Sequence, residues 1–345
     1  MMREVSLIGV DLARQVFQLH GATSDGAVMF RKKLSRKQFL AFMQRHPACR
    51  VAMEACGTAH YWARTLATFG HDVRLIAPKF VKAYVKNQKN DMADAEAIAE
   101  AASRPTMRFV EVKSPEQQGL GMIFRMRDLL VGQRTQTINA LRGHLAEFGL
   151  ALGKGREQLD KLKSSELTDD QGNALPSSVC QMAQLFFDQI DDLSRRISEL
   201  DVKINAASRQ SHLAARLQKI PGVGPITSMA LAAFAPPMEC FHRGRDFSAW
   251  LGLVPRQHSS GGKIRLGRTS KSGQRDIRRL LIIGAMAVIS GTKIRPPAEG
   301  SWLGRMLARK PRMLVAIALA NKMARMLWAL IAKNEEFRGG PHLAG

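Results

Sequence analysis

Acids are scarce in this chain. Its 345 residues carry 29 Asp and Glu against 52 Lys and Arg, a formal charge of +23. A field of that sign favours polyanions, and with no basic amphipathic anchor in view, DNA or RNA fits better than an acidic lipid surface. Cysteine is scarce too. Cys49, Cys56, Cys180 and Cys240 stand apart without Cys-x-x-Cys spacing, which indicates neither a zinc site nor a disulfide framework and leaves reduced, mostly packed thiols. Long apolar runs are also missing. The only one near the amino terminus contains Asp11, and the run from Leu280 to Ile289 is too short to cross a bilayer. The expectation is a cytoplasmic protein with no membrane partner. A hydrophobic content of 45% is ordinary for a globular chain, and the length allows two or three domains.

Against that scarcity, four acids fall where chemistry can use them. Asp11 ends the strand-like run VSLIGVD, and Glu54 ends the strand RVAME. Asp91 and Asp94 open the helical stretch DMADAEAIAEAA, one turn apart and on one side. Such a group is costly unless a cation sits among it, and hard carboxylate oxygens suit Mg²⁺. Two such ions about 4 Å apart can activate an attacking oxygen and stabilise a leaving one. Singly, each acid reads as structural, Asp91 for example as a helix N-cap. Glu96 and Glu100, further along, read as solvated, and His60 as a packed or polar-bonded histidine rather than a ligand.

The order of elements places those acids. Runs 5–11, 15–22 and 27–32 read as three strands, followed by a helix capped by Ser35. Then come strand 50–55, a helix over 58–69, strand 72–78, and helices around 79–88 and 91–103. This is the order of a ribonuclease H-like (RuvC-like) domain over 1–117, with the first and fourth strands adjacent and Asp11 beside Glu54. From 118 to 215 the pattern turns to long helices. Ile138, Leu141, Leu145 and Phe148, then Phe186, Ile190, Leu193, Ile197, Leu200 and Ile204, repeat at 3,4 spacing. They predict an antiparallel coiled-coil arm with a looped, polar tip. Residues 216–345 read as a mainly helical domain. It opens on LQKIPGVGPITSMALAAF, a helix-hairpin-helix-like motif whose Gly222 and Gly224 could present backbone amides to a DNA phosphate; the alternative is a tight turn between packed helices.

The segment LGLVPRQHSSGGKIRLGRTSKSGQRDIRR is basic and glycine-rich. From Arg256 to Arg279 it has eight Lys and Arg and one acid, Asp276. By composition it is a flexible nucleic-acid-binding loop, with Arg256, Lys263, Arg265, Arg268, Lys271 and Arg275 as contacts and its serines as filler. The stretch from Gly300 to Asn334 has no acid, and MLVAIALANKMARMLWALIA reads as an amphipathic helix with a core face and a phosphate-tracking basic side.

Taken together, GVDLARQVF, VAMEACGTAHYWA, KNDMADAEAIAEA and the two later blocks resemble the DEDD transposases of bacterial insertion sequences. The type is that of IS110, and the nearest branch that of IS1111, the bridge-RNA-guided recombinases. The resemblance covers nearly the whole chain. It implies a RuvC-like domain, a coiled-coil arm and a helical transposase domain, with Asp11, Glu54, Asp91 and Asp94 as metal-holding catalytic acids. It also implies a catalytic serine five residues after the Pro of the G-L-x-P motif and just before Gly. Here that is Ser260, with Ser259 as the alternative register. Cys56 stands where related chains often carry Ser or Thr. The implied reaction is Mg²⁺-dependent, two-ion recombination of donor and target DNA through a phosphoserine link. A structured non-coding guide RNA and a homo-oligomer complete the expected partners, and the acids and serine of one site come from one chain or from two. A RuvC-like endonuclease or junction resolvase using metal-activated water is the competing reading. A non-catalytic nucleic-acid chaperone is a third. A proofreading-type exonuclease fits less well, because Asp11-Leu12-Ala13 lacks an Asp-x-Glu pair.

Overall fold

The structure is a computed structural model and describes residues 4–85, 91–151, 153, 155–294 and 296–337. The chain divides into two compact units, 1–115 and 116–345.

The first unit is built on one six-stranded sheet. Its strands are β1 (Leu7–Leu12), β2 (Val16–Ala22), β3 (Val28–Ser35), β4 (Arg50–Glu54), β5 (Asp72–Ile76) and β6 (Phe109–Val110), in the order β3-β2-β1-β4-β5-β6. The first three form an antiparallel meander, and β1, β4 and β5 run parallel. Helix α1 (Arg36–Arg45) starts where Ser35 and Gln38 close a reciprocal capping box, a device worth about 1 kcal/mol. Alternation along the central strands decides which side chains face which layer. Ile8, Val10, Val51 and Met53 turn to one face, where α1 and α2 (Ala59–Ala67) supply Phe39, Met43, Trp62 and Leu66. Phe17, Phe39 and Trp62 pack edge-to-face there, with centroids 4.9 to 5.2 Å apart.

Leu7, Ala52 and Ile76 turn to the other face and pack with Ala97, Ile98 and Ala101 of α4 (Asp91–Ser103). Gly9 shares their side of β1 and lets α4 settle directly on the strand. A β-carbon on Gly9 would overlap the Ala95 carbonyl and lie 2.7 Å from the Ala99 amide nitrogen. The helix predicted over 79–88 is shorter. It comprises α3 (Pro78–Val81) and a 3-10 turn over Lys82–Tyr84, and 86–88 lie outside the described residues.

The second unit is helical apart from one hairpin. Two long helices, α5 (Pro115–Ala146) and α7 (Ser177–Gln210), pack side by side through Leu130, Leu193 and Ile197, then through Leu141, Leu145, Phe187 and Ile190. They run antiparallel. Arg127 bonds Asp201 (Nε–Oδ1 2.6 Å) and Arg134 bonds Ser194 (3.2 Å), so as one index climbs from 127 to 134 the partner falls from 201 to 194. The tip between them is not the polar loop the composition suggests. It contains α6 (Arg156–Lys163), and Leu159, Leu162, Leu167 and Leu175 join the same core as Leu141 and Phe187.

The rest of the unit comprises α8 (His212–Leu217), α9 (Pro225–Phe234), α10 (Gly244–Trp250), hairpin strands β7 (Pro255–Gln257) and β8 (Leu266–Thr269), α11 (Arg275–Gly291), α12 (Trp302–Arg309) and α13 (Arg312–Ala332). By length and composition α13 is apolar enough to cross a membrane, which the search for one unbroken apolar run missed. Its Val315, Leu319, Met323 and Leu327 lie at the centre of this unit's core with Leu281 and Phe247. The turn between α8 and α9 is packed. Gly222 (φ +85°) lies against α11, and a β-carbon on it would come 2.7 Å from the Gly284 carbonyl oxygen. Gly224, the N-cap of α9, is exposed with open space around it.

Candidate functional site

The last bridged pair of β1 and β4 is Val10–Met53, so Asp11 and Glu54 occupy the next register step on neighbouring parallel strands. Both point to the face that α4 covers, because Asp11 alternates with Gly9 and Glu54 with Ala52. The direction of α4 completes the set. Glu100 and Ser103, at its carboxyl-terminal end, line the same cleft as Ser6 and Leu7 at the start of β1, so its first turn, with Asp91 and Asp94, lies toward the Asp11 end. One face and one end of the sheet thus collect all four acids. Among the described residues no three His, Cys, Asp or Glu side chains close on a common point within reach of a metal ion. The donor set is all carboxylate oxygen, the chemistry a hard cation takes.

Neighbouring groups have other duties. His60 Nδ1 accepts a hydrogen bond from the Lys113 amide at 3.2 Å, so the ring is tied to the backbone. Burial, then Lys113 and Arg64, hold its pKa below the usual histidine value. Glu96 pairs with Arg31 at 3.0 Å and Glu100 with Arg104 at 2.8 Å, so these two acids are ion-paired rather than simply solvated. A cleft of about 1010 Å³ in this unit lies at the opposite end of the sheet. Its lining mixes both signs, and the Arg50–Asp72 pair there is already closed at 3.1 Å.

In the second unit the glycine-rich segment is an ordered hairpin rather than a flexible loop. At its tip the Lys263 amide donates to the Ser260 carbonyl at 3.0 Å, with Gly261 (φ +54°) and Gly262 (φ +76°) as the two central residues. Positive φ at both is the signature of a type I′ turn, which matches the twist of a two-stranded ribbon. The base is equally specific. Gly252 (φ +71°) and Gly273 (φ +69°) allow backbone segments to touch, and a β-carbon on Gly252 would lie 2.6 Å from the Ser272 nitrogen. Arg278 donates to the Leu251 and Ser272 carbonyls at 2.9 and 2.8 Å, and burial lowers its pKa. Lys271 adopts φ +53°, the left-handed region that side chains seldom enter.

The two serines differ in what their hydroxyls do. Ser259 Oγ accepts from the Arg265 amide at 3.2 Å and from Gln257 Nε2 at 3.1 Å. Ser260 is exposed at the tip and its hydroxyl has no hydrogen-bond partner among the described residues. Lys263, Arg265 and Arg268 on the hairpin, and Lys271 and Arg275 at its base, are exposed, and none pairs with a carboxylate among the described residues. Arg256 reaches only the Ser270 carbonyl, at 3.4 Å. Two further residues escaped sequence reasoning. His258 shares the ribbon face of Ser260, and Arg278 anchors the hairpin; the periodicity of a strand too short to register hid the first, and a fold-dependent contact hid the second.

A mixed six-stranded sheet with acids gathered at one end, followed by a helical region, is compatible with the DEDD, RuvC-like class of DNA strand-transfer enzymes. Comparison with known proteins makes the class specific. Residues 8–149 match the DEDD transposase family of the IS110 type, and residues 214–297 match the family described as Transposase IS116/IS110/IS902. A probable family 20 transposase of Pseudomonas aeruginosa is 48% identical, across 97% of this chain and 99% of its own. The transposase for insertion sequence element IS1111A of Coxiella burnetii is 38% identical across 98% and 93%. That for IS1328 of Yersinia enterocolitica is 36% identical across 97% and 99%. The chain belongs to the IS110 family of insertion-sequence transposases, enzymes of DNA transposition and recombination.

Proposed function

We propose that this transposase recombines donor and target DNA under the direction of a guide RNA, with Ser260 as nucleophile. The observation that carries the reading is the contrast at the hairpin tip: Ser259 is bonded into the ribbon, while Ser260 offers an unengaged hydroxyl amid unpaired cations. In the reaction the Ser260 Oγ–phosphorus bond forms as the phosphodiester's bond to the departing strand breaks. The serine proton goes to solvent and the freed strand leaves as a hydroxyl. The phosphoserine link keeps the bond energy for rejoining, when a new strand end displaces the serine. Arg256, Lys263, Arg265, Arg268, Lys271 and Arg275 hold the phosphates, and the Gly222–Gly224 turn offers amides at the start of α9.

Asp11, Glu54, Asp91 and Asp94 are the residues that would hold Mg²⁺, two ions in this reading. Bound there, the metal supplies Lewis-acid polarisation of the scissile phosphate. Sequence choice falls to base pairing with the RNA, and the protein supplies backbone contacts, as the charge of +23 favours. The protein works in this reading as a homo-oligomer on bacterial DNA, with α5 and α7 as a coiled-coil arm.

A covalent adduct is the test. End-labelled DNA incubated with protein, guide RNA and Mg²⁺, then quenched in denaturant, should leave label on the protein. Ser260→Ala should abolish that label and Ser259→Ala should keep it. An active enzyme with no adduct, or an active Ser260→Ala, would return the protein to the endonuclease reading with metal-activated water. Mixing Asp11→Asn with Ser260→Ala protein then reads whether acids and serine are supplied by one chain or two.

A further inference from the structure

The hairpin at 255–269 has two chemically different faces. Gln257 pairs with Leu266, Ser260 with Lys263, and the His258 amide donates to the Arg265 carbonyl at 2.8 Å. Alternation along that ladder places His258, Ser260, Lys263 and Arg265 on one side. Gln257, Ser259, Ile264 and Leu266 fall on the other, and the Gln257–Ser259 hydrogen bond runs along that second side. Ile264 is 77% exposed and Leu266 65%. Two large aliphatics side by side on a protruding ribbon are not the scattered apolar residues of an ordinary surface.

Charge decides what covers them. No acid occurs between Pro255 and Arg275, while Lys263 and Arg265 line the adjoining Ser260 side of the ribbon and, with Arg256, Arg268 and Lys271, are exposed. A protein partner on this apolar face would have to bring acids to meet those cations. Duplex DNA supplies both needs at once, phosphates to the cations and base and sugar surface to the aliphatics. Aliphatic side chains inserted at a base step unstack it, and the bend that results brings more backbone within reach.

We propose that Ile264, supported by Leu266, is a wedge that opens one base step of the DNA beside the phosphodiester presented to Ser260. The inference rests on the reading that this hairpin binds DNA, and adds that it deforms the duplex. Opposite faces of one ribbon then divide the labour: the Ser260 side meets the phosphate and the Ile264 side parts the neighbouring bases. The rigid type I′ turn holds the two functions at a fixed spacing of a few residues.

The test separates deformation from chemistry by using full-length Ser260→Ala protein. Duplexes carrying the insertion-sequence end are prepared with 2-aminopurine at successive adenine positions, and guide RNA is included. Binding should raise fluorescence several-fold at one step near the cleavage site and leave the other positions unchanged. Adding Ile264→Ala and Leu266→Ala should abolish the rise while the salt dependence of binding stays that of the parent. Ile264→Met, which keeps a large apolar side chain at this position, should restore it. Binding with no fluorescence change anywhere, or a rise that survives the double substitution, overturns the wedge and leaves the DNA-binding reading intact. Absence of binding by the parent sinks that reading and the wedge with it. A self-associated species without DNA that dissociates on Ile264→Ala would show that a second copy covers this face, and the proposal would be wrong.

Discussion

Gly9 and Ala95 meet backbone to backbone, because Gly9 has no side chain to hold α4 away from β1. The contact sets how closely the helix bearing Asp91 and Asp94 approaches the strand bearing Asp11. Gly9→Ala inserts a methyl group where none fits, and overpacking of this kind costs about 1–3 kcal/mol. Thermal or urea unfolding of the variant should register that loss, along with reduced strand transfer from a displaced α4. A variant as stable as the parent, within about 0.5 kcal/mol, would mean the helix moves away freely and the glycine is incidental.

Asp11→Asn and Asp94→Asn should keep the fold and the affinity for DNA while losing catalysis, on the order of 10²-fold or more for each charge removed from a preorganised site. Melting curves with and without Mg²⁺ or Mn²⁺ provide the independent check. The parent should be stabilised by the ion and the variants should not. Equal stabilisation of parent and variants would place the metal elsewhere.

Lys263 and Arg268 are exposed and form no ion pair among the described residues, so their contribution to DNA binding should be plainly electrostatic. Replacing either with Ala should weaken binding alike across sequences and flatten the plot of log affinity against log salt by about 0.9 per lost phosphate contact. Arg278→Ala should behave differently. Its guanidinium holds the Leu251 and Ser272 carbonyls, so its removal should lower stability first. An unchanged salt slope for both surface variants would remove the hairpin from the DNA interface.

His60 supplies a pH signature for the first unit. Its folded pKa lies below the ordinary value of about 6.5, so the unfolded chain takes up the proton more readily. Stability should therefore be full above about pH 6.5, fall as the pH drops through the interval down to the folded pKa, and level off below it. His60→Gln, which cannot titrate, should shed that part of the slope. Chemical denaturation at a series of pH values between about 7 and 5 measures it. Identical slopes for the two proteins would mean that the ring is not held neutral by its surroundings.

Much of the first unit was legible because its signals are local. Ser35 and Gln38 are three residues apart, and the apolar alternation of β1 and β4 fixes the side to which Asp11 and Glu54 turn. The stripe of Ile190, Leu193, Ile197 and Ile204 announced α7 for the same reason. What stayed hidden depends on neighbours far along the chain. Gly9 reads as an ordinary strand residue until α4 lies on it, and nothing local to Gly222 shows that Gly284 packs against it. The leucines of the tip, Leu159, Leu162, Leu167 and Leu175, are too thinly spread among charges to signal a core. The segment looked flexible because its five glycines suggest freedom, whereas Gly252, Gly261, Gly262 and Gly273 adopt positive φ at the base and tip of the hairpin, positions that demand it.

The heptad step between the Arg127–Asp201 and Arg134–Ser194 contacts has a consequence for how proteins of this design change length. A residue inserted into α5 alone rotates every following side chain off its partner on α7. Only matched insertions in both helices, each of seven residues, keep the seam closed. The span of this pair can therefore vary only in increments of about 10 Å, so variation in its length should be discrete and shared equally between two distant parts of the gene.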